Sequence, residues 1–163
     1  MASVSEELRE NDVLLVKVAP ENYAASLVSV LGQLGRGGRT CILLLSRPYS
    51  AIAKKLGRGG DYFFIAIGEV PNGLGVGVDS PGNLSDLGIA FSTALRQKCS
   101  AALLESVSLL FIHAEYNSVM RFLFDLVAKA RGAGSKMVFL LSREDEHAKE
   151  LYPFVDKIIA LNG

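Results

Sequence analysis

One carboxylate interrupts the most apolar stretch of the chain: Glu105 follows Ala101-Ala-Leu-Leu104 where a strand should end. A carboxylate in such surroundings has its protonation set by burial and by its neighbours, which suits a functional role. The plainer reading is a strand-end carboxylate that caps a helix or pairs with an arginine such as Arg47 or Arg143. His113 and Glu115 lie close by, but a pair without a third ligand at usable spacing makes no metal site. His113 therefore reads as a partly buried or helix-start residue, and no metal is expected. Two strand ends share a phrase, Leu43-Leu-Leu-Ser-Arg47 and Phe139-Leu-Leu-Ser-Arg143. Ser46, Arg47, Ser142 and Arg143 thus fall at the carboxyl ends of strands, where open α/β sheets place ligands. The alternative is capping, with Ser142 on the amides of the next helix, Asp145 at the reciprocal position, and solvated arginines. His147, within Arg143-Glu-Asp-Glu-His147, reads as part of a charged, solvated helix face. No serine stands in GxSxG, and no Ser/His/Asp set is evident. Gly73, Gly75 and Gly77 alternate instead of forming GxGxxG. Asn72-Gly73 suggests a tight turn leading into a short strand through Val76 and Val78.

The elements that position these residues follow from hydrophobic periodicity. Val13–Val18, Thr40–Leu45, Tyr62–Ile67, Ala101–Leu104 and Met137–Leu141 are continuous apolar runs, as strands buried on both faces require, and Lys157–Leu161 is a sixth strand candidate. Between them, Tyr23, Leu27, Val30, Leu31 and Leu34 share one helical stripe. So do Leu84, Leu87, Phe91, Ala94 and Leu95, and again Val119, Phe122, Leu123, Leu126 and Ala130. Strands alternating with amphipathic helices predict an α/β fold, three-layered, with a mostly parallel sheet flanked by helices. Gly35-Arg-Gly-Gly-Arg39, Gly57-Arg-Gly-Gly-Asp61 and Gly132-Ala-Gly-Ser-Lys136 each follow a helix and precede a strand, so their glycines read as C-caps and not as an RNA-binding repeat.

Bulk composition narrows the classes. At 163 residues, half of them hydrophobic, the chain suits one domain spanning 1–163, with 1–11 a flexible or short N-terminal segment. Lys+Arg and Asp+Glu both total 17, so no global field draws it to nucleic acid or an anionic membrane. Cys41 sits in an apolar run and reads as a small core residue. The polar, acidic start is no signal peptide, and Ala101–Ala114 is too short to span a bilayer. A cytoplasmic location is expected.

The phrases Val78-Asp-Ser-Pro-Gly-Asn-Leu-Ser-Asp-Leu-Gly-Ile89 and Leu103-Leu-Glu-Ser-Val-Ser-Leu-Leu110, with the element order from Asp12 to Leu161, resemble the RecA-type ATPase core, in particular its KaiC/RadA-like branch. The resemblance places Glu105 and Ser106 at the Walker B position and the loop after the first strand at the phosphate site. It also implies self-association or docking on a related ATPase, since such cores commonly assemble into rings.

The departures from that pattern lie where the chemistry would be. A GxxxxGK[ST] loop cradles phosphate with backbone amides and a lysine. Here the stretch is Val18-Ala-Pro-Glu-Asn-Tyr-Ala-Ala25, with Pro20, Glu21, Asn22 and Tyr23 in place of that loop and Glu21 or Asn22 a candidate helix cap. Ser46-Arg47-Pro48 stands where the family often carries glutamates that activate water, and Glu105 replaces an aspartate. The expectation is a non-catalytic domain without cofactor, acting through protein contacts as a regulatory or adaptor module. Two alternatives stay open: a small-ligand or nucleotide-binding domain without hydrolysis, whose cleft is lined by Ser46, Arg47, Ser142, Arg143 and Glu105, and an enzyme of another class using Glu105 with His113.

Overall fold

Alternating burial along the strands splits the interior into two cores. In the computed structural model, which describes residues 3–57 and 59–161, one sheet contains seven strands. They are β1 (Val13–Val18), β2 (Thr40–Leu44), β3 (Tyr62–Ile67), β4 (Gly75–Val78), β5 (Ala101–Glu105), β6 (Lys136–Ser142) and β7 (Lys157–Leu161). Their order is β4-β3-β2-β5-β6-β1-β7, and every neighbouring pair is parallel. Successive side chains of a strand face opposite ways. Leu14, Val16, Ile42, Leu44, Leu103 and Leu140 therefore enter one core, and Leu15, Leu43, Leu104, Phe139 and Leu141 the other. The first core is closed by α1 (Val4–Leu8), α2 (Tyr23–Gly37) and α3 (Tyr49–Leu56). The second is closed by α4 (Leu84–Arg96), α5 (Ser108–His113), α6 (Tyr116–Gly132) and α7 (Ala148–Leu151). The fold is α/β and three-layered, as expected, and its sheet is wholly parallel.

Within the first eleven residues, Ser3 caps α1 by accepting the Glu6 N–H at 3.1 Å, and Val4 and Leu8 are buried against the sheet. No helix among the described residues is long and apolar enough to cross a membrane.

One glycine reading needs correction. Gly57 and Gly134 have φ of 66° and 72°, the left-handed values that end helices; Arg58, between Gly57 and Gly59, lies outside the described residues. Gly35, however, lies inside α2 and is buried, and a Cβ there would come within 2.5 Å of the Tyr62 hydroxyl. Its role is close packing: the Tyr62 hydroxyl passes over it to donate to the Leu31 carbonyl at 3.0 Å. The turn at Asn72-Gly73 and the short strand through Val76 and Val78 are both present, and that strand, β4, runs parallel to β3. Pro71–Leu74 forms the turn, closed by the Leu74 N–H on the Pro71 carbonyl at 3.1 Å, and β4 then re-enters beside Phe64. So short a return brings two backbones together closely enough that only glycine fits at positions 75 and 77.

At the amino-terminal edge of the sheet, Arg131 at the end of α6 bridges Asp12 (3.1 Å) and Asp156 (3.2 Å), and Lys136 reaches Asp12 at 2.8 Å. Asp156 Oδ2 also accepts the N–H groups of Asp12 and Val13, each at 3.0 Å, fastening the entry to β7 onto the start of β1. Burial pushes the Asp156 carboxyl up, but the Val13 amide, Arg131 and the Asp12 amide together hold it below its ordinary value. A depressed folded-state pKa gives stability that is present above the unfolded value, about 3.9, and lost as pH falls through the folded one. Urea midpoints of the wild type should therefore drop on going below about pH 4. Asp156→Asn should lower the midpoint at neutral pH and flatten that acid limb; an unchanged acid limb would remove Asp156 from the account.

Candidate functional site

The alternation that builds the two cores also aims Glu105. Ala101 and Leu103 of β5 face the α2 side, so Glu105, two residues on, faces it too. Its side chain is 0 % exposed. At that level β2 has ended at Leu44, and the amides of Leu45 and Ser46 have left the strand ladder. Glu105 Oε2 accepts both, at 2.6 and 2.7 Å. Oε1 accepts the Ser46 hydroxyl and the Tyr23 hydroxyl, the latter at 3.2 Å. Two oxygens thus take four hydrogen bonds, close to all that a carboxylate can accept. The Tyr23 hydroxyl also lies 3.3 Å from the Leu140 carbonyl. Burial, followed by the charge of Glu105, raises the Tyr23 phenol far above its usual value, so it remains a donor. Glu105 neither caps a helix nor pairs with Arg47 or Arg143. It staples the exit of β2 and the first turn of α2 onto the end of β5.

Ser106, the next residue, has φ 63°, a left-handed value uncommon outside glycine. Its N–H still reaches the Leu140 carbonyl at 3.2 Å, so the turn out of the sheet occurs within one residue. Above it opens a cavity of about 260 Å³ lined by Pro20, Tyr23, Ser46, Arg47, Ser106, Ser142 and Asp145. These residues come from the carboxyl ends of β1, β2, β5 and β6. Wider grooves lie between α4 and α6 and beyond the end of β3, and none of the candidate site residues lines them.

Of the residues expected to surround one site, the structure therefore brings together Pro20, Tyr23, Ser46, Arg47, Ser106 and Ser142, with Glu105 beneath them. Glu21 is exposed and Asn22 half-buried in the 3-10 turn Pro20–Asn22; neither lines the cavity. Neither caps α2 as expected, because α2 has no side-chain cap and the Asn22 N–H is taken by the Ala19 carbonyl at 3.0 Å. Arg143 is exposed and outside the cavity; its backbone N–H meets the Val18 carbonyl at 2.8 Å, one residue beyond the Val18–Ser142 pair of the β1–β6 ladder. Ser142 accepts the Glu144 N–H at 3.2 Å and so closes a turn, not a helix, since α7 begins only at Ala148.

Asp145, read from the sequence only as a capping partner, is a wall of the cavity. Its side chain is 9 % exposed, and Oδ1 accepts the Ser108 hydroxyl at 2.5 Å and the His147 N–H at 2.8 Å. His147 is not on a solvated helix face. Its ring stacks on Phe111 at 4.6 Å and 5°, with Nδ1 2.9 Å from Ser108 Oγ. Ser108, Asp145 and His147 thus meet, but not in the order that activates a nucleophile: the serine donates to the aspartate directly, and no aspartate orients the far side of the imidazole. The signal for this cluster was the Asp-x-His spacing just past a strand end, which an assumed helix concealed.

Arg47 lies over the Tyr23 ring, 5.9 Å from guanidinium carbon to centroid, and its buried Nε has no hydrogen-bond partner among the described residues. His113 does not meet Glu105. It is exposed at the end of α5, with its carbonyl against Gly82, whereas Glu105 is enclosed by Tyr23, Ser46 and Leu45. No group of three or more metal-ligating side chains occurs among the described residues.

No family model matches this chain, and no curated protein does. The residues present also fit a magnesium–nucleotide poorly. The amides after β1 are turned onto Ala19 and Pro20 instead of outward, Glu21 adds negative charge, and Glu105 has its oxygens occupied by protein donors.

Proposed function

We propose that this chain is a non-catalytic domain of RecA/KaiC type, a regulatory or adaptor module that works through protein contacts. The observation carrying this reading is the closure of the expected reaction centre by the chain's own groups: Tyr23 and Ser46 occupy Glu105 from two sides. A carboxylate that already accepts four donors has little capacity left for a cation or an attacking water. Support for the contact role comes from the outer helices. Ile89 of α4, Ile112 of α5 and Phe124 of α6 are 63 %, 69 % and 63 % exposed. Large apolar side chains on a helical face suit an interface, either with a second copy or with a related ATPase.

Calorimetric titration with ATP and magnesium should give no saturable binding in the micromolar range, and micromolar affinity would overturn the proposal. In sedimentation velocity, Ile89→Glu with Phe124→Glu should shift any assembly of the wild type to a lower mass while leaving the circular dichroism spectrum unchanged. A wild type that neither self-associates nor changes partner retention on this double substitution would remove the contact role.

A further inference from the structure

The cavity above Glu105 combines opposite charges without joining them. Arg47 contributes a guanidinium whose Nε is buried and unpartnered, and it forms no salt bridge among the described residues. Asp145 contributes a carboxylate nine-tenths buried. Ser108 and the His147 amide hold its Oδ1, and the His147 ring Nδ1 stands 3.6 Å from the same oxygen, while Oδ2 has no hydrogen bond among the described residues. Tyr23 lines the same cavity as both charges, and Arg47 favours its ionised form while Asp145 opposes it. The hydroxyls of Ser46 and Tyr23 donate downward to Glu105 and so turn their lone pairs to the cavity. At about 260 Å³ the space falls below the roughly 300–1,000 Å³ typical of pockets for drug-sized ligands. A simple anion would meet the aspartate, and a simple cation the arginine; either leaves one of the two part-buried charges without a complement in the ligand.

We propose that this cavity binds a small zwitterion of the α-amino acid class, its carboxylate on Arg47 and its ammonium on Asp145. The proposal rests on the reading above only in taking the site as closed to a nucleotide. Asp145 is held by its own hydrogen bonds and Arg47 by the face of Tyr23, so the cavity presents two opposed charges to the two ends of such a ligand.

The test is calorimetric titration of the full chain with glycine, L-alanine and L-serine, with acetate, methylammonium and inorganic phosphate as singly functional comparators and ATP in a parallel arm. At least one amino acid should bind saturably, with acetate and methylammonium about tenfold weaker or worse. Arg47→Met, which removes the guanidinium and keeps an unbranched apolar side chain, should weaken that binding by at least about tenfold. Arg143→Ala, outside the cavity, should leave it unchanged. Asp145→Asn should act like Arg47→Met. If its spectrum shows unfolding, Arg47→Met and the comparators decide the matter. No saturable heat from any amino acid up to about 10 mM would overturn the proposal. So would amino-acid binding that survives Arg47→Met, or acetate or phosphate binding as tightly as the amino acid. ATP binding bears on the non-catalytic reading alone, so the two can fail separately.

Discussion

Glu105→Ala should lower the stability of the domain by about 3–5 kcal/mol, because it leaves a set of buried donors with nothing to bond. The Leu45 and Ser46 amides point at Oε2 from 2.6 and 2.7 Å, and no alternative acceptor is in the side chain of alanine. For a domain of this size the melting temperature should fall by roughly 10 °C. Glu105→Gln should cost much less: its carbonyl oxygen can still take both amides, and the hydroxyls of Ser46 and Tyr23 can rotate to accept from its amide nitrogen. Tyr23→Phe removes one donor of four and should cost about 1 kcal/mol. The ordering Ala far above Gln is the discriminating result. If Glu105→Ala melts within a few degrees of the wild type, the staple is not what fixes this end of the sheet.

Gly75→Ala should have the next largest effect. An added Cβ would lie 1.9 Å from the Phe64 carbonyl oxygen and 2.7 Å from its carbon, so the obstacle is backbone that no rotamer change can clear. The φ of 157° adds a second obstacle for any residue with a Cβ. Either β4 detaches or β3 shifts. The expected cost is about 2–3 kcal/mol, the upper range for overpacking. It should appear locally as faster amide exchange at Phe64 and Gly68, whose N–H groups meet the Leu74 and Val78 carbonyls at 2.9 Å. Gly132→Ala, with nothing within 4 Å of the new methyl, serves as the control and should be neutral or mildly stabilising. Equal exchange rates in the wild type and Gly75→Ala would show that β4 does not depend on this close approach.

The layers and most strands were legible because burial on both faces leaves a plain record. Val13–Val18 and Tyr62–Ile67 are strands over the same residues that the apolar runs marked, and so is Lys157–Leu161, although that edge strand is largely exposed. The position of the cleft was legible for the same reason, since strands in parallel bring their carboxyl ends to one side. Ser46, Arg47 and Ser142 meet there as the two Ser-Arg phrases suggested. The staple was not legible. Tyr23 and Glu105 are far apart in sequence, and their meeting depends on the packing angle of α2 over β5, which local patterning does not encode. Arg143 was misplaced because a repeated phrase does not guarantee a repeated exit direction: the backbone after β6 is drawn toward Val18, and nothing equivalent acts on Arg47. His147 was misread because a run of charges looks like a helix face even when Asp145 holds it in a turn.

The placement of β1 between β6 and β7 has a consequence for how the chain is assembled. β1 precedes both of its sheet neighbours, β6 and β7, by most of the domain. During translation it waits, with an apolar face on either side and bare backbone groups along both margins, until β6 and β7 emerge. Pairings so distant along the chain are slow to form, and an unpaired hydrophobic strand is a template for intermolecular association in the meantime. A nascent chain halted after α6 should therefore lack a settled β1 and be prone to clump or to recruit chaperones, whereas one released past Leu161 should fold. The order of strands makes completion of the last strand the checkpoint for the first.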